Sequence, residues 1–461
     1  MKALLTILIL ATMISSNAQK GNGWQHLFDG KTLKGWKQVA GNATYEVIDG
    51  AIVGITVPNT PNSFLISEDK YGDFVLELEV KIEDSTSNSG IQFRSQYDPQ
   101  GNNGKGKVYG YQYELDPSSR MWTGGIYDEG RRDWLYPLML NPAAQKMLPL
   151  NRFNKIRIQC IGRHMATWIN DVPAAHVIDT VDHTGVIALQ VHSIGQPSMA
   201  GKKIHWKNIR IKTEGLKAMA FPKDVYPVNN LQNQLTGIEQ EMGWKLLFDG
   251  NTSAGWKGAY RPGFPDKGWE IADGELRVLR SGGAESTNGG DIVTTSQYAA
   301  FDLSFDFKLT PGANSGVKYF VTLTENNPGS AIGLEYQLLD DTLHPDAKMG
   351  KSGNRTLASL YDLIKANKQA RFIRQPGKWN TGRVVVYPDN RVEHYLNGIK
   401  VLEYVRGTAE YRALVAESKY KVWPNFGEAP KGHILLQDHG DAVSFKNIRI
   451  RELPGSRKGA K

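Results

Sequence analysis

The chain has one cysteine, Cys160, in 461 residues. No internal disulfide is available, so the fold must rest on packing alone. In KIRIQCI the cysteine alternates with Ile156 and Ile158, which reads it as a small buried hydrophobe. No apolar run reaches the ~20 residues of a membrane span. The longest, ALLTILILATMI, follows Lys2 and precedes Ser16-Asn17-Ala18, the layout of a secretory signal over residues 1–18. No cysteine follows it closely enough to carry a lipid anchor, so a soluble protein exported to the periplasm or beyond is expected. Net charge is +8, but the basic residues are scattered except in the tail Arg457-Lys458-Gly459-Ala460-Lys461. A nucleic-acid binder clusters them on one element, so no nucleic-acid partner is expected. There is no G-x-S-x-G elbow, no HExxH and no cysteine-based metal cluster. PDAKMGKSGN has Pro345 where a phosphate loop needs glycine, and GNNGKGKVYG is a turn-rich loop rather than a dinucleotide fingerprint.

What the chain does have is a repeat. GWQHLFDGKTLKGWK begins at Gly23 and GWKLLFDGNTSAGWK at Gly243, with ten of fifteen positions identical. A period this long means two copies of a domain, since solenoid repeats run ~20–50 residues. Domains are expected at 19–214 and 242–454, joined by an extended linker at 215–241 and followed by the tail at 455–461. The repeated phrase reads as the opening of each domain, with Asp29 or Asp249 in a turn.

Period-two alternation dominates both copies. FVLELEVKI (74–82) sets Phe74, Leu76, Leu78, Val80 and Ile82 on one face, and FDLSFDFKL (301–309) repeats the pattern. Further strands are expected at 46–54, 89–95, 109–116, 155–161, 164–170, 186–192 and 204–212. Their counterparts are 269–279, 315–322, 333–339, 383–388, 391–396, 433–439 and 443–452. A helix is expected at 408–421, in an insertion peculiar to the second copy. Many short strands with Gly, Asn, Asp and Pro turns indicate all-β sandwiches.

Side chains two apart share a strand face. In GYQYELD, Gln112, Glu114 and Asp116 lie opposite Tyr111, Tyr113 and Leu115; in GLEYQLLDD, Glu335 and Gln337 lie opposite Leu334, Tyr336 and Leu338. Gln and Glu have exchanged places, yet each copy keeps an acid and an amide two residues apart. The same alternation pairs Gln190 with His192 and Gln437 with His439. Gln92, Arg94, Lys318, His394, Asn170 and Asn397 join the polar side. Acids, amides, cations and imidazoles on one face suit a polyhydroxylated ligand. Trp36, Trp122, Trp168, Trp256, Trp379 and Trp423 are candidate stacking platforms.

In their order, LFDGKTLKGW, NSGIQFR, YQYELD, GGIYD, WINDVP, ALQVHS and KNIRIK resemble the 3-keto-disaccharide hydrolase family, also described as 3-keto-glucoside-1,2-lyases and 3-keto-2-hydroxy-glucal hydratases. The second copy, with NSGVKY, LEYQLLDD, SLYD, HYLNG, LLQDHG and FKNIRIREL, is similar. The resemblance implies two tandem concanavalin-like jelly rolls and a small oxidised carbohydrate as partner. It implies removal of the C2 proton beside a C3 ketone, expulsion of the C1 substituent, and optional rehydration. His439 is the expected base, because imidazole ordinarily titrates near neutrality; Glu335 competes, with His192 and Glu114 as the first-copy counterparts. Gln437, Gln337, Lys318, His394, Asn397, Asp362, Gln190, Gln112, Arg94, Asp128 and Asn170 are the expected substrate-binding residues. A divalent metal held by carboxylate and imidazole is allowed, though no spacing demands one. The second copy is expected to be the catalytic one. A non-catalytic carbohydrate-binding protein and an ordinary two-carboxylate glycosidase are the alternatives.

Overall fold

The computed structural model describes residues 23–454 apart from 147, 223–224, 283–284 and 325–330. The expected leader and basic tail lie outside these residues. The architecture is all-β, two tandem jelly-roll sandwiches. In the first copy, a sheet centred on Phe74–Ile82, Asn154–Ile161 and Lys203–Lys212 faces a seven-stranded sheet. That second sheet runs Asp133–Tyr136, Ile126–Glu129, Lys107–Leu115, Ser89–Asp98, Gly185–Val191, Ser63–Tyr71 and Trp36–Ala40. In the second copy, a sheet centred on Phe301–Leu309, Val443–Glu452 and Asn380–Val386 faces a five-stranded one. Its order is Trp256–Gly258, Ile292–Thr294, His433–Leu436, Asn314–Val321 and Leu334–Leu339.

The alternation builds the cores. Phe74, Leu76, Leu78, Val80 and Ile82 enter the first, while Glu77 turns outward to Arg157 and Arg210. Phe301, Leu303, Phe305, Phe307 and Leu309 enter the second, and Asp302 turns outward to Arg383 and Arg451. Cys160 is buried in the first core. The repeated phrase is a turn in each copy. Asp29 accepts the amides of Lys31 and Thr32, and Asp249 those of Asn251 and Thr252. The tryptophans that follow, Trp36 and Trp256, donate to the carbonyls of Leu27 and Leu247.

Three expectations need correction. The strands expected at 46–54 and 269–279 are each a hairpin, because Asp49-Gly50 and Asp273-Gly274 take positive φ at both positions (50° and 73°; 55° and 73°). Such Asp-Gly pairs form the tight turns whose twist matches paired strands. The linker is not extended throughout. Val228–Asn229 adds a parallel strand to Val177–Ile178, and Gly237–Glu241 is a short helix with a Thr236/Glu239 capping box. Glu239 also pairs with buried Arg449 of the second copy at 3.0 Å, and Asn233 and Asn447 each donate a backbone amide to the other's side-chain Oδ1. The expected helix at 408–421 divides into Ala409–Ala416, capped by Thr408, and a tighter turn at Lys419–Val422.

Candidate active site

Asn314–Val321 and Leu334–Leu339 pair so that Lys318 stands directly opposite Glu335. Directly opposed side chains share a face, with Cβ atoms about 4.5–5.5 Å apart. On that face a cavity of about 250 Å³ is lined by Lys318, Glu335, Gln337, Gln437, His439 and Asn314, together with Tyr361, Lys419, Tyr420 and Trp423. The acid, amide and imidazole residues read from separate strands therefore meet in one hollow.

Glu335 is buried, and burial pushes its carboxyl up to about 7 against the opposing pull of Lys318 and Lys419. Loss of water disfavours the charged form, and here it outweighs two nearby cations. The Gln337 amide, with its nitrogen toward the carboxylate, donates to Glu335 Oε1 at 2.9 Å and to Ser315 O at 3.2 Å. Burial works against the charge on Lys318, but Asp291, Glu335 and Glu285 outweigh it and raise its pKa. Lys318 Nζ donates to Ala331 O at 3.1 Å and lies 3.9 Å from both Glu285 and Asp291. Asp291, fully enclosed, is pushed up to about 6 by burial. Gly316 makes the arrangement possible: a Cβ there would lie 2.3 Å from Glu335 Oε1.

His439 lies beyond the strand, which ends at Leu436 because the Asp438 carboxylate collects the amides of Gly289, Gly290 and Gly440. The Asn314 side-chain amide meets His439 Nε2 at 3.3 Å, and the buried His439 Nδ1 has no hydrogen-bond partner among the described residues. Gln437 donates to Glu285 Oε1 at 2.8 Å. The aromatic wall comes from outside the sheet. Lys419 Nζ sits 4.3 Å from the Tyr361 ring centroid, and Tyr420 stacks on Phe426 at 4.0 Å. Asp362 does not line the cavity. It accepts from Arg355 and from the backbone of Lys419, and so anchors the turn that does. Tyr361, Lys419, Tyr420 and Asn314 were not among the expected site residues. Asn314 shares a face with Gly316 and Lys318 by pleat, which was a usable signal; the other three sit in irregular segments that alternation does not reach.

Other candidates belong elsewhere. His394 is in the core, its ring between Tyr319 Oη at 2.8 Å and Ala358 O at 3.0 Å, and burial lowers its pKa to about 4. Asn397 and Asn170 occupy hairpin turns at φ 50° and 48°; their side chains bond Thr381 N and Lys155 N. Arg94 leaves the polar face at a bulge with φ 47°, and its guanidinium bonds Gly72 O, Gly162 O and Asp73. Asp128 is fully buried and neutralised by Arg131 and Arg132. Trp36, Trp122, Trp168 and Trp256 are core residues; of the six tryptophans considered, Trp423 alone lines the cavity. No group of three His, Cys, Asp or Glu suited to a metal occurs among the described residues.

The first copy keeps the layout with different chemistry. Gln92 takes the place opposite Gln112 that Lys318 takes opposite Glu335. Gln92 donates to Gln112, Gln112 to Glu114 at 2.8 Å, and Asn88 to Glu114 at 2.8 Å. Burial raises Glu114 to about 7, but no cation stands across from it in register. Gln190 is buried on this sheet, and His192 bonds Ser193 O at 2.7 Å just past the strand end. Asn88, Gln92, Gln112 and Glu114 thus bond one another.

A family model described as the 3-keto-alpha-glucoside-1,2-lyase-like domain matches residues 23–212 and again 243–451. The chain belongs to this family. It is 37% identical to a 3-keto-disaccharide hydrolase of Bacteroides thetaiotaomicron, over 46% of this chain and 79% of that protein. Among solved structures it is similar to two candidate glycosyl hydrolases of Parabacteroides distasonis. One is 30% identical, with TM-score 0.41 over 49% of this chain and 100% of that one. The other is 28% identical, with TM-score 0.35 over 46% and 99%. Among the described residues, no helix is long and apolar enough to cross a membrane.

Proposed function

We propose that the protein is an exported enzyme that cleaves 3-keto-glycosides by elimination at the second-copy cavity. The observation that carries this reading is the pairing of Glu335 with Lys318 across adjacent strands. In a 3-keto sugar, the C2 proton and the C3 oxygen are separated by one carbon–carbon bond. The base and the cation that steadies the enolate must therefore be neighbours. Glu335, with its carboxyl near 7, is matched to accept a proton at neutral pH. The C2–H electrons form the C2–C3 enolate, and the C3 oxygen draws charge stabilisation from the Lys318 ammonium. The enolate then collapses, C1–C2 becomes double, and the C1–oxygen bond breaks. The imidazole of His439, on the cavity wall, delivers a proton to the departing oxygen. The product is the 2-hydroxy-3-keto-glucal; water added across C1–C2 completes net hydrolysis. This assigns proton abstraction to Glu335 and proton delivery to His439, with Tyr420 and Trp423 as the apolar wall for the ring.

The family membership and the hydrolase name of the Bacteroides relative support the substrate class. The leader-like segment at residues 1–18 supports export. The test is incubation with a 3-keto-glucoside, its C2-deuterated form and the unoxidised parent. Expected are turnover of the keto sugar alone and slower release from the deuterated one. Cleavage of the parent would point to an ordinary glycosidase, and binding without turnover to a carbohydrate-binding protein.

A further inference from the structure

A second cavity, of about 190 Å³, lies where the two copies and the segment between them meet. It is remote in the fold from the catalytic hollow: its walls come from the other sheet of the second copy and from the Asp133–Tyr136 edge of the first. Trp379 supplies a half-buried indole, with Lys308 and Lys446 at 4.6 and 4.3 Å from its ring centroid. Tyr226 and Trp134 add further aromatic surface.

The charges here do not balance. Arg132, Arg383 and Arg449 each have carboxylate partners, in Asp128 and Asp179, Asp302, and Glu239. Arg374 and Lys446 form no ion pair within 4.0 Å among the described residues; the Arg374 guanidinium donates to the carbonyls of Trp379 and Trp134. Asp306 stands opposite Lys446 in register, and its oxygens are bonded by Thr381 and Asn447. Two cations thus face one carboxylate, a surplus of one positive charge. Arg374 and Lys446 are each half-buried, so that surplus is only partly hydrated and favours an anion.

The geometry points to a binding site for a singly charged acidic monosaccharide, a hexuronate or a sugar sulfate monoester, held between the copies. The cation pair takes the anionic group, and Trp379 takes the ring. The volume is below the ~300–1,000 Å³ of pockets for drug-sized ligands, so it admits one ring rather than a chain. An occupant would touch both copies and the linker together, tying their relative placement to an acidic sugar.

The test is calorimetric titration of the full chain with glucuronate, glucose 6-sulfate and glucose. Glucuronate or the sulfate is expected to bind, and glucose at least about tenfold more weakly, because a charge-assisted contact is lost. Binding by only one anion identifies the head group. Lys446→Met is expected to weaken that binding about tenfold, Lys446→Arg to restore it, and Trp379→Leu to weaken all ring-bearing ligands together. Trp423→Ala, on the wall of the other cavity, is expected to leave it unchanged. Equal binding of glucose, full binding by Lys446→Met, loss in Trp423→Ala, or binding of neither anion would each overturn the assignment.

Discussion

Replacing Glu335 by Gln should cut turnover sharply and stabilise the protein, with both effects set by the same carboxyl. Its pKa is about 7 in the folded chain against an ordinary 4.5. Below pH ~4.5 both states hold the proton and the group contributes nothing to stability. Between ~4.5 and ~7 the unfolded chain releases the proton first, so stability falls as pH rises. Above ~7 both are ionised, and the loss levels off near 3 kcal/mol at about 1.4 kcal/mol per unit. Gln escapes this loss. It also leaves Lys318 with one carboxylate fewer, so a net gain of about 1–3 kcal/mol at pH 8 is expected, vanishing at pH 4.5. Urea unfolding of the two proteins at both pH values measures it. In parallel, kcat/KM of the native enzyme should fall about tenfold per pH unit below ~7 as Glu335 takes up its proton. The Gln variant should lose about 10²-fold or more in kcat. A variant with native kcat/KM, or a stability difference that does not change with pH, would refute the account of Glu335 as a buried base.

Other outcomes follow from the same geometry. His439→Ala should lower kcat by about 10²–10⁴-fold, and the loss should shrink with substrates whose leaving group departs without protonation; steady-state kinetics on a leaving-group series measures this. Gly316→Ala should displace the Glu335 carboxylate, since its Cβ would lie 2.3 Å from Oε1; kcat should fall while circular dichroism still reports a folded sheet. His394→Phe removes a core hydrogen-bonding partner of Tyr319 and Ala358 and should cost about 1–3 kcal/mol in thermal unfolding, leaving KM close to native.

The cores were legible because alternation is a strong, repeated signal. Phe301 through Leu309 could be assigned to a face with no other information. The floor of the cavity was legible for the same reason: Glu335, Lys318 and Gln337 hold regular strand positions. Alternation failed wherever the strand itself stopped or shifted. One left-handed residue, Arg94, turned an expected ligand contact into a structural ion pair. His394 was read as polar-side because it is polar, although Val384 and Leu402, core residues both, are its cross-strand partners. The Asp-Gly pairs at 49–50 and 273–274 carried enough local chemistry to reveal two hairpins, yet continuous hydrophobicity masked them. Tyr361 comes from a segment with no period, and Lys419 and Tyr420 from the short turn into which the expected helix divides, where only the fold decides which way a side chain points.

The ion pair between Glu239 and Arg449 bears on how the halves can be separated. A fragment starting at Met242 would strip Arg449 of its carboxylate and Asn447 of Asn233, leaving a guanidinium with neither its counter-charge nor the residues that cover it. Poor solubility of such a fragment would then say nothing about whether the C-terminal half folds by itself. Beginning before Val228 keeps the capped helix with the sandwich that uses it, so the last stretch of apparent spacer belongs, in energetic terms, to the second half.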